Sequence, residues 1–62
     1  MSPTDHAILV EALVRCYLAG RSRTAAQLEL EFVARALGYD HVAAVEHASA
    51  VMVEWPVAER VA

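Results

Sequence analysis

The chain is 62 residues long, with an apolar fraction of 58% and a formal net charge of −3. A chain of this length forms at most one domain, and folding removes only about 60% of its surface from water. Its charged residues, five arginines and no lysine against eight carboxylates, argue against direct DNA or RNA binding, which draws on clustered basic residues.

The first predicted helix spans residues 3–19. Ser2 is suited to cap its N-terminus, Pro3 suits the first helical position, and Asp5 places a carboxylate where the helix dipole favours negative charge. Gly20 is typical of the position just after a helix C-terminus. Apolar residues at helical spacing predict a buried stripe, flanked by Leu9, that consists of Val10, Leu13, Val14 and Tyr17.

The second predicted helix spans residues 25–37 and ends before Gly38. Thr24, followed by Gln27 three residues later, has the pattern of a capping box. The apolar residues of this helix fall into two stripes, which predicts a helix that lies between two neighbours. One stripe is Leu28, Phe32 and Ala36, and the other is Ala26, Leu30, Val33 and Leu37.

The third predicted helix spans residues 41–55, with Asp40 as its N-cap and Pro56 as the residue that ends its regular continuation. Segment 56–62 is interpreted either as a frayed last turn or as a short fourth helix. The apolar stripe of the third helix is Ala44, Val45, Ala48, Met52 and Trp55.

These elements together predict an all-α fold, a compact three-helix bundle that forms the single domain 1–62, with the short fourth C-terminal helix as an alternative for the tail. The β-branched residues fall at helical spacing and not in alternation, so no strand is predicted. A small interior with this much apolar sequence must leave some of it exposed, which indicates an interface.

Catalytic and metal-binding patterns are absent from the sequence. The candidate soft ligands are Cys16, His6, His41 and His47, and none has the spacing of a ligand pair. Cys16 lies beside the stripe of the first helix, where a buried structural thiol is expected. Glu29 and Glu31 diverge by roughly 200° around a helix and cannot share a proton. We therefore predict that the protein is not an enzyme and needs no metal or cofactor.

Residues 33–39 resemble the first half of a helix-turn-helix motif, with an alanine in the first helix and then an apolar residue and glycine at the turn. The second half departs from the pattern, because its apolar anchors sit one place late. Its helix also offers no Arg, Lys, Asn or Gln to read bases or contact phosphate. The alternative function is therefore a dimeric DNA-binding regulator with Arg21, Arg23 and Arg35 on phosphate.

Carboxylates on the second and third helices form the candidate partner-binding surface. Spread over one side of a rigid helical unit, such groups imitate a run of phosphates and complement a basic groove. Tyr39 or Trp55 would add an apolar anchor, although Trp55 continues the stripe of the third helix and a core position is favoured for it. The carboxylates are Glu29, Glu31, Asp40, Glu46 and Glu54.

In size, acidity and helicity over the whole chain, together with these carboxylates, the sequence resembles the small acidic proteins that phages encode against bacterial defence, including anti-CRISPR proteins. The resemblance implies a non-enzymatic inhibitor that binds a larger protein with a basic surface. The target it implies is a CRISPR effector, such as a Cascade subunit, whose DNA-recognition surface the inhibitor would block as a DNA mimic.

The sequence also indicates a compartment. Cys16 is the sole cysteine, which excludes a disulfide within the chain and fits a reducing environment. No stretch approaches the roughly 18 apolar residues of a membrane span, and the first residues lack the basic start of a signal peptide. We expect a cytoplasmic protein, in a bacterium or a phage-infected host, with no membrane partner. A homodimeric structural or assembly subunit is the third functional alternative.

Overall fold

Three α-helices make up residues 1–55, the part of the chain that the computed structural model describes. In chain order they are α1 (Pro3–Leu18), α2 (Arg23–Ala36) and α3 (His41–Met52). No strand occurs among these residues, and the helices pack into one bundle, so the predicted all-α three-helix architecture is confirmed. The two alternatives for segment 56–62 lie outside the described residues.

The N-terminus of α1 is capped as the sequence predicts. The Asp5 amide donates to the side-chain oxygen of Ser2 at 3.1 Å, and Pro3 occupies the first helical position, where its missing N–H costs nothing. Asp5 also lies in the first turn, close to the positive end of the helix dipole. The start of α1 is therefore determined by residues close to it in the sequence.

Gly20 and Gly38 turn the chain after α1 and α2, with φ angles of 75° and 105°. In both turns the next amide returns to a carbonyl in the last turn of the preceding helix. The Arg21 amide donates to the Cys16 carbonyl at 3.0 Å, and the Tyr39 amide donates to the carbonyl of Ala34 at 3.2 Å. Glycine is favoured at both turns because a Cβ atom is strained at these φ values.

The start of α2 differs from the prediction. The helix begins two residues earlier, and its cap is Ser22, whose side-chain oxygen accepts from the Ala25 amide at 3.1 Å. The predicted capping box of Thr24 and Gln27 is therefore wrong. The Gln27 amide group donates towards α3 instead of reaching back along its own helix, so the residue that would complete the box is used in tertiary packing.

The buried face of α1 is rotated from the predicted stripe. Val14, expected in the core, is 42% exposed, while Val10 and Tyr17 are half-buried at the edge. A stripe drawn through the large apolar residues misses the face because small residues allow the neighbouring helices to approach. The buried residues of α1 are Leu9, Ala12, Leu13 and Cys16.

Only one of the two predicted stripes of α2 is buried. Ala26 and Leu30 are fully enclosed, whereas Leu28 is 61% and Phe32 72% exposed, and Ala36 is exposed with them. α2 does pack against both α1 and α3, as a central helix should, but it uses a single face for both contacts. The prediction that α2 lies between two neighbours is therefore confirmed, although only one of its two stripes is buried.

α3 begins as predicted and ends three residues early. The Asp40 carboxylate accepts from the Ala43 amide at 2.8 Å and caps the helix. The last helical residue is Met52, where the sequence had predicted that the helix would run to Trp55. A proline at position 56 has no N–H for the Met52 carbonyl, and its ring would collide with that carbonyl in a continuous helix. A helix that continues through position 56 is therefore disfavoured.

The core contains few large side chains and many alanines. The largest fully enclosed residues are Leu9, Leu13, Leu30 and Val51. The core alanines, at most 1% exposed, are Ala12, Ala26, Ala34, Ala44 and Ala48. Since these small residues fill the helix contacts, several larger apolar residues remain on the outside. The bundle therefore has an alanine-rich interior and an unusually apolar surface.

Candidate protein-binding surface

The outward side of α3, together with the two residues that follow the helix, is exposed along its length. We name this surface the α3 face, and its members are Val42, Glu46, Ser49, Ala50, Val53 and Glu54. The helical members repeat at three- and four-residue spacing, opposite the buried alanines. Val42 is 65% and Val53 70% exposed. The α3 face thus combines apolar and acidic side chains.

Charge is segregated along the described chain. Every arginine among residues 1–55 lies at or before Arg35. From residue 36 to residue 55 the charged side chains are Asp40, Glu46 and Glu54, and all three are acidic. Within the described part, neither Glu46 nor Glu54 forms an ion pair. Among residues 1–55, the negative charge of the α3 face is therefore not compensated by an ion pair.

The remaining predicted carboxylates already have partners. Asp40 caps α3, and the Glu29 carboxylate lies 3.6 Å from the Arg21 guanidinium, on the side of α2 that faces α1. Glu31 accepts a 2.8 Å hydrogen bond from Gln27. The five carboxylates therefore do not share one face. Their divergence on α2 follows from their two-residue spacing, which the sequence showed.

Tyr39, predicted as a possible apolar anchor for a partner, is half-buried and holds the bundle together. Its hydroxyl donates to the Asp5 carboxylate at 2.6 Å, and its ring meets the His47 ring edge-on at a centroid distance of 4.6 Å. The hydrogen bond to Asp5 is the main reason that the pKa of Tyr39 lies above its usual 10.0, with reduced hydration and the carboxylate charge adding to it.

Trp55 belongs to the core, as its place on the stripe of the third helix favoured. It is 5% exposed, and its ring meets the Tyr17 ring edge-on, with centroids 5.4 Å apart and planes inclined by 77°. Such an arrangement is favourable for aromatic pairs. In this conformation Trp55 is not accessible as an anchor for a partner.

Cys16 is buried beneath an open depression of about 170 Å³ between α1 and α2. The arginines beside it, Arg15 and Arg21, are paired with Glu11 and Glu29 at 3.5 and 3.6 Å. The buried position of the thiol, predicted from sequence, is confirmed. Among the described residues, no group of three or more His, Cys, Asp or Glu side chains is placed to hold a metal ion.

Sequence reasoning missed a second exposed surface, on α2. We name it the α2 stripe, and it consists of Leu28, Phe32 and Ala36. The signal was present, because these residues stand out as one of two apolar stripes. The sequence could not show which stripe the core would take, since both have helical spacing and similar hydrophobicity.

The corner between α2 and α3 has the connectivity of a helix-turn-helix unit. In such a unit the second helix enters the major groove and meets phosphates on both sides. Here that helix would present the α3 face, whose charged members are Glu46 and Glu54. Carboxylates in this position repel a polyanion, so the electrostatics of the corner oppose DNA binding.

No family model, curated protein or solved structure matches the chain. Within residues 1–55, no helix has both the length and the apolar character needed to cross a bilayer.

Proposed function

We propose that this chain is a non-enzymatic protein-binding module that uses its α3 face to block a basic, nucleic-acid-binding surface of a larger protein. One observation carries the proposal. Glu46 and Glu54 are exposed without an ion pair in the described chain, next to the exposed side chains of Val42 and Val53.

The acidic and apolar members of the α3 face have different roles in this mechanism. The carboxylates of Glu46 and Glu54 attract a positive surface, speed the encounter and repel acidic partners. Val42 and Val53 then lose contact with water when the surfaces meet, which stabilises the complex. Because partner lysines and arginines that pair with the carboxylates are no longer free for phosphate, binding excludes nucleic acid by occupation.

The position of α3 is fixed before any partner arrives. Gln27 on α2 donates to Ser49 at 3.2 Å, and Tyr39 packs on His47 while bonding to α1. A face held in this way loses little conformational entropy on binding, which favours affinity from a small surface. The DNA-recognition surface of a CRISPR effector, such as a Cascade subunit, has the required charge and is the first specific target to test.

The experiment compares three baits in a capture from bacterial lysate: wild type, the double variant E46Q/E54Q, and E11Q. Glu11 is an exposed carboxylate on α1 that pairs with Arg15, so its neutralisation is the control for lost charge away from the α3 face. Captured proteins are quantified at low and at high salt. A purified CRISPR effector, assayed for target-DNA binding with each variant present, is the second arm.

We expect wild type and E11Q to retain a protein with a basic surface that E46Q/E54Q loses, and high salt to release it. If the three baits retain the same proteins in equal amounts, the α3 face is not the binding surface. An effector that binds its DNA equally well with and without the chain removes that particular target.

A further inference from the structure

We propose that the chain binds a second copy of itself, through antiparallel packing of two α2 helices across a two-fold axis that passes Phe32. The contact is the α2 stripe, on a different helix from the α3 face. It therefore goes beyond the proposed function and does not depend on it.

The α2 stripe is a continuous apolar ridge that the bundle leaves uncovered. Leu28, Phe32 and Ala36 repeat every four residues and so lie one above another along α2. Phe32 is 72% and Leu28 61% exposed, although both are large apolar side chains at the centre of the helix's outward side. Two such side chains in line lower the free energy of the chain when another apolar surface covers them.

The α2 stripe is bordered on one flank by an acidic and a basic side chain, which can pair with the same two side chains of a second copy. Glu31 and Arg35 are four residues apart in the order that favours an ion pair within one helix, yet none forms. Gln27 explains this, because its side-chain amide donates to one Glu31 carboxylate oxygen at 2.8 Å and also to Ser49 at 3.2 Å. Within residues 1–55, Arg35 has no ion-pair partner, and it stands beside the stripe.

A two-fold axis at Phe32 brings these groups together. In an antiparallel pair, Leu28 of one copy lies level with Ala36 of the other, so a large side chain faces a small one. Arg35 then lies about 3 Å along the helix axis from Glu31 of the second copy, from the rise of 1.5 Å per residue. The same flank of each helix faces its counterpart, so two reciprocal Arg35–Glu31 pairs form. In a parallel pair related by a two-fold axis, the flanks that carry Glu31 and Arg35 would lie on opposite sides of the contact, so these ion pairs could not form.

This complementarity selects the second copy over other occupants. An apolar groove on an unrelated protein or a lipid surface would accept Leu28 and Phe32, but neither would require Glu31 and Arg35 together on one flank. A second copy supplies both charges in the required order. Dimerisation through the α2 stripe would also remove Phe32 from water, and Phe32 is the most exposed aromatic side chain among residues 1–55.

The test is sedimentation equilibrium of the purified chain, kept reduced because of Cys16, over a wide range of concentration. Four variants are compared, each checked for helix content by circular dichroism. F32E places a charge in the centre of the stripe, and L18E is its control, because Leu18 on α1 is also 72% exposed. R35E breaks the proposed ion pairs, and E31R/R35E restores them with reversed signs.

We expect the mass of the wild type and of L18E to rise with concentration from one chain to two. F32E and R35E should weaken association by about tenfold or more, and E31R/R35E should recover most of the loss. A wild type that stays monomeric throughout overturns the proposal, as does an F32E variant that dimerises normally. If R35E weakens association and E31R/R35E does not restore it, the antiparallel geometry is contradicted. Glu46→Gln and Glu54→Gln should leave the dimer intact, so this proposal and the proposed function can fail separately.

Discussion

The Tyr39 hydroxyl donates a 2.6 Å hydrogen bond to the Asp5 carboxylate, and this bond joins the α2–α3 link to the first turn of α1 across 34 residues. Asp5 also lies in the turn that Ser2 caps, while the Tyr39 ring contacts His47 on α3. One tyrosine therefore connects the N-terminal ends of α1 and α3. The connection therefore links the first turn of α1 to the helix that carries the α3 face.

Tyr39 should make the folded state sensitive to alkaline pH. Its pKa is raised above the usual 10.0 because the phenol donates to a carboxylate. A proton held more tightly in the folded state stabilises the fold fully below the unfolded-state pKa, and this contribution is lost as the pH rises through the folded-state pKa. Thermal melts of the wild type should therefore show stability that falls above pH 10.0.

The variant Tyr39→Phe should melt a few degrees lower at neutral pH and lose less stability than the wild type as the pH rises. Tyr17→Phe is the matched control, since Tyr17 lies against Trp55 and not against Asp5. Equal alkaline losses in the wild type and in Tyr39→Phe would contradict the role given to the hydrogen bond.

The N-cap of α2 can be tested with two neighbouring hydroxyl residues. Ser22→Ala removes the oxygen that accepts from the Ala25 amide and should lower the free energy of unfolding by about 0.5–2 kcal/mol. Thr24→Ala lies inside the first turn and should change it little. Chemical denaturation measures both variants. A larger loss for Thr24→Ala would mean that the helix begins where the capping-box pattern had predicted.

The position of the α1 core can be tested with the same substitution at two sites. Leu9 is fully buried, whereas Leu18 is 72% exposed. Leu9→Ala should cost about 2–5 kcal/mol, enough to unfold much of a domain this small, and Leu18→Ala should cost little. Chemical denaturation or circular dichroism distinguishes the two outcomes. Similar costs would place the buried face of α1 elsewhere.

Duplex DNA should not bind the chain. The helix that would enter the groove carries Glu46, and Glu54 follows it. Both carboxylates repel phosphate, and salt at physiological concentration screens the attraction that the arginines elsewhere on the chain could provide. Fluorescence anisotropy of a labelled duplex, titrated with the protein at physiological ionic strength, should stay flat. A saturable rise that Arg35→Gln abolishes would instead favour the DNA-binding regulator.

Much of the fold follows from short-range sequence signals. Ser2, Gly20, Gly38 and Asp40 mark helix ends because each satisfies backbone groups locally, and local chemistry is readable in a sequence. The buried face of α1 was harder, since Val14 and Ala12 have the same kind of spacing. Only the approach of a neighbouring helix selects the smaller residue for the core.

The candidate surface was predictable only in part. Glu46 and Glu54 could be predicted to be exposed, because neither residue belongs to the apolar stripe of the third helix. The engagement of Glu31 by Gln27 depends on where α3 packs, and local sequence does not contain that information. The exposure of Phe32 is similar, because two equivalent stripes compete for one core and tertiary packing decides between them.

Recognition through the α3 face is tested most directly by measuring the affinity of the chain for a purified captured partner at two ionic strengths. We expect E46Q/E54Q to bind several-fold more weakly than wild type at low salt and to show a smaller salt dependence, while E11Q binds as wild type does. If all three proteins bind with the same affinity and the same salt dependence, the acidic surface of α3 does not mediate recognition.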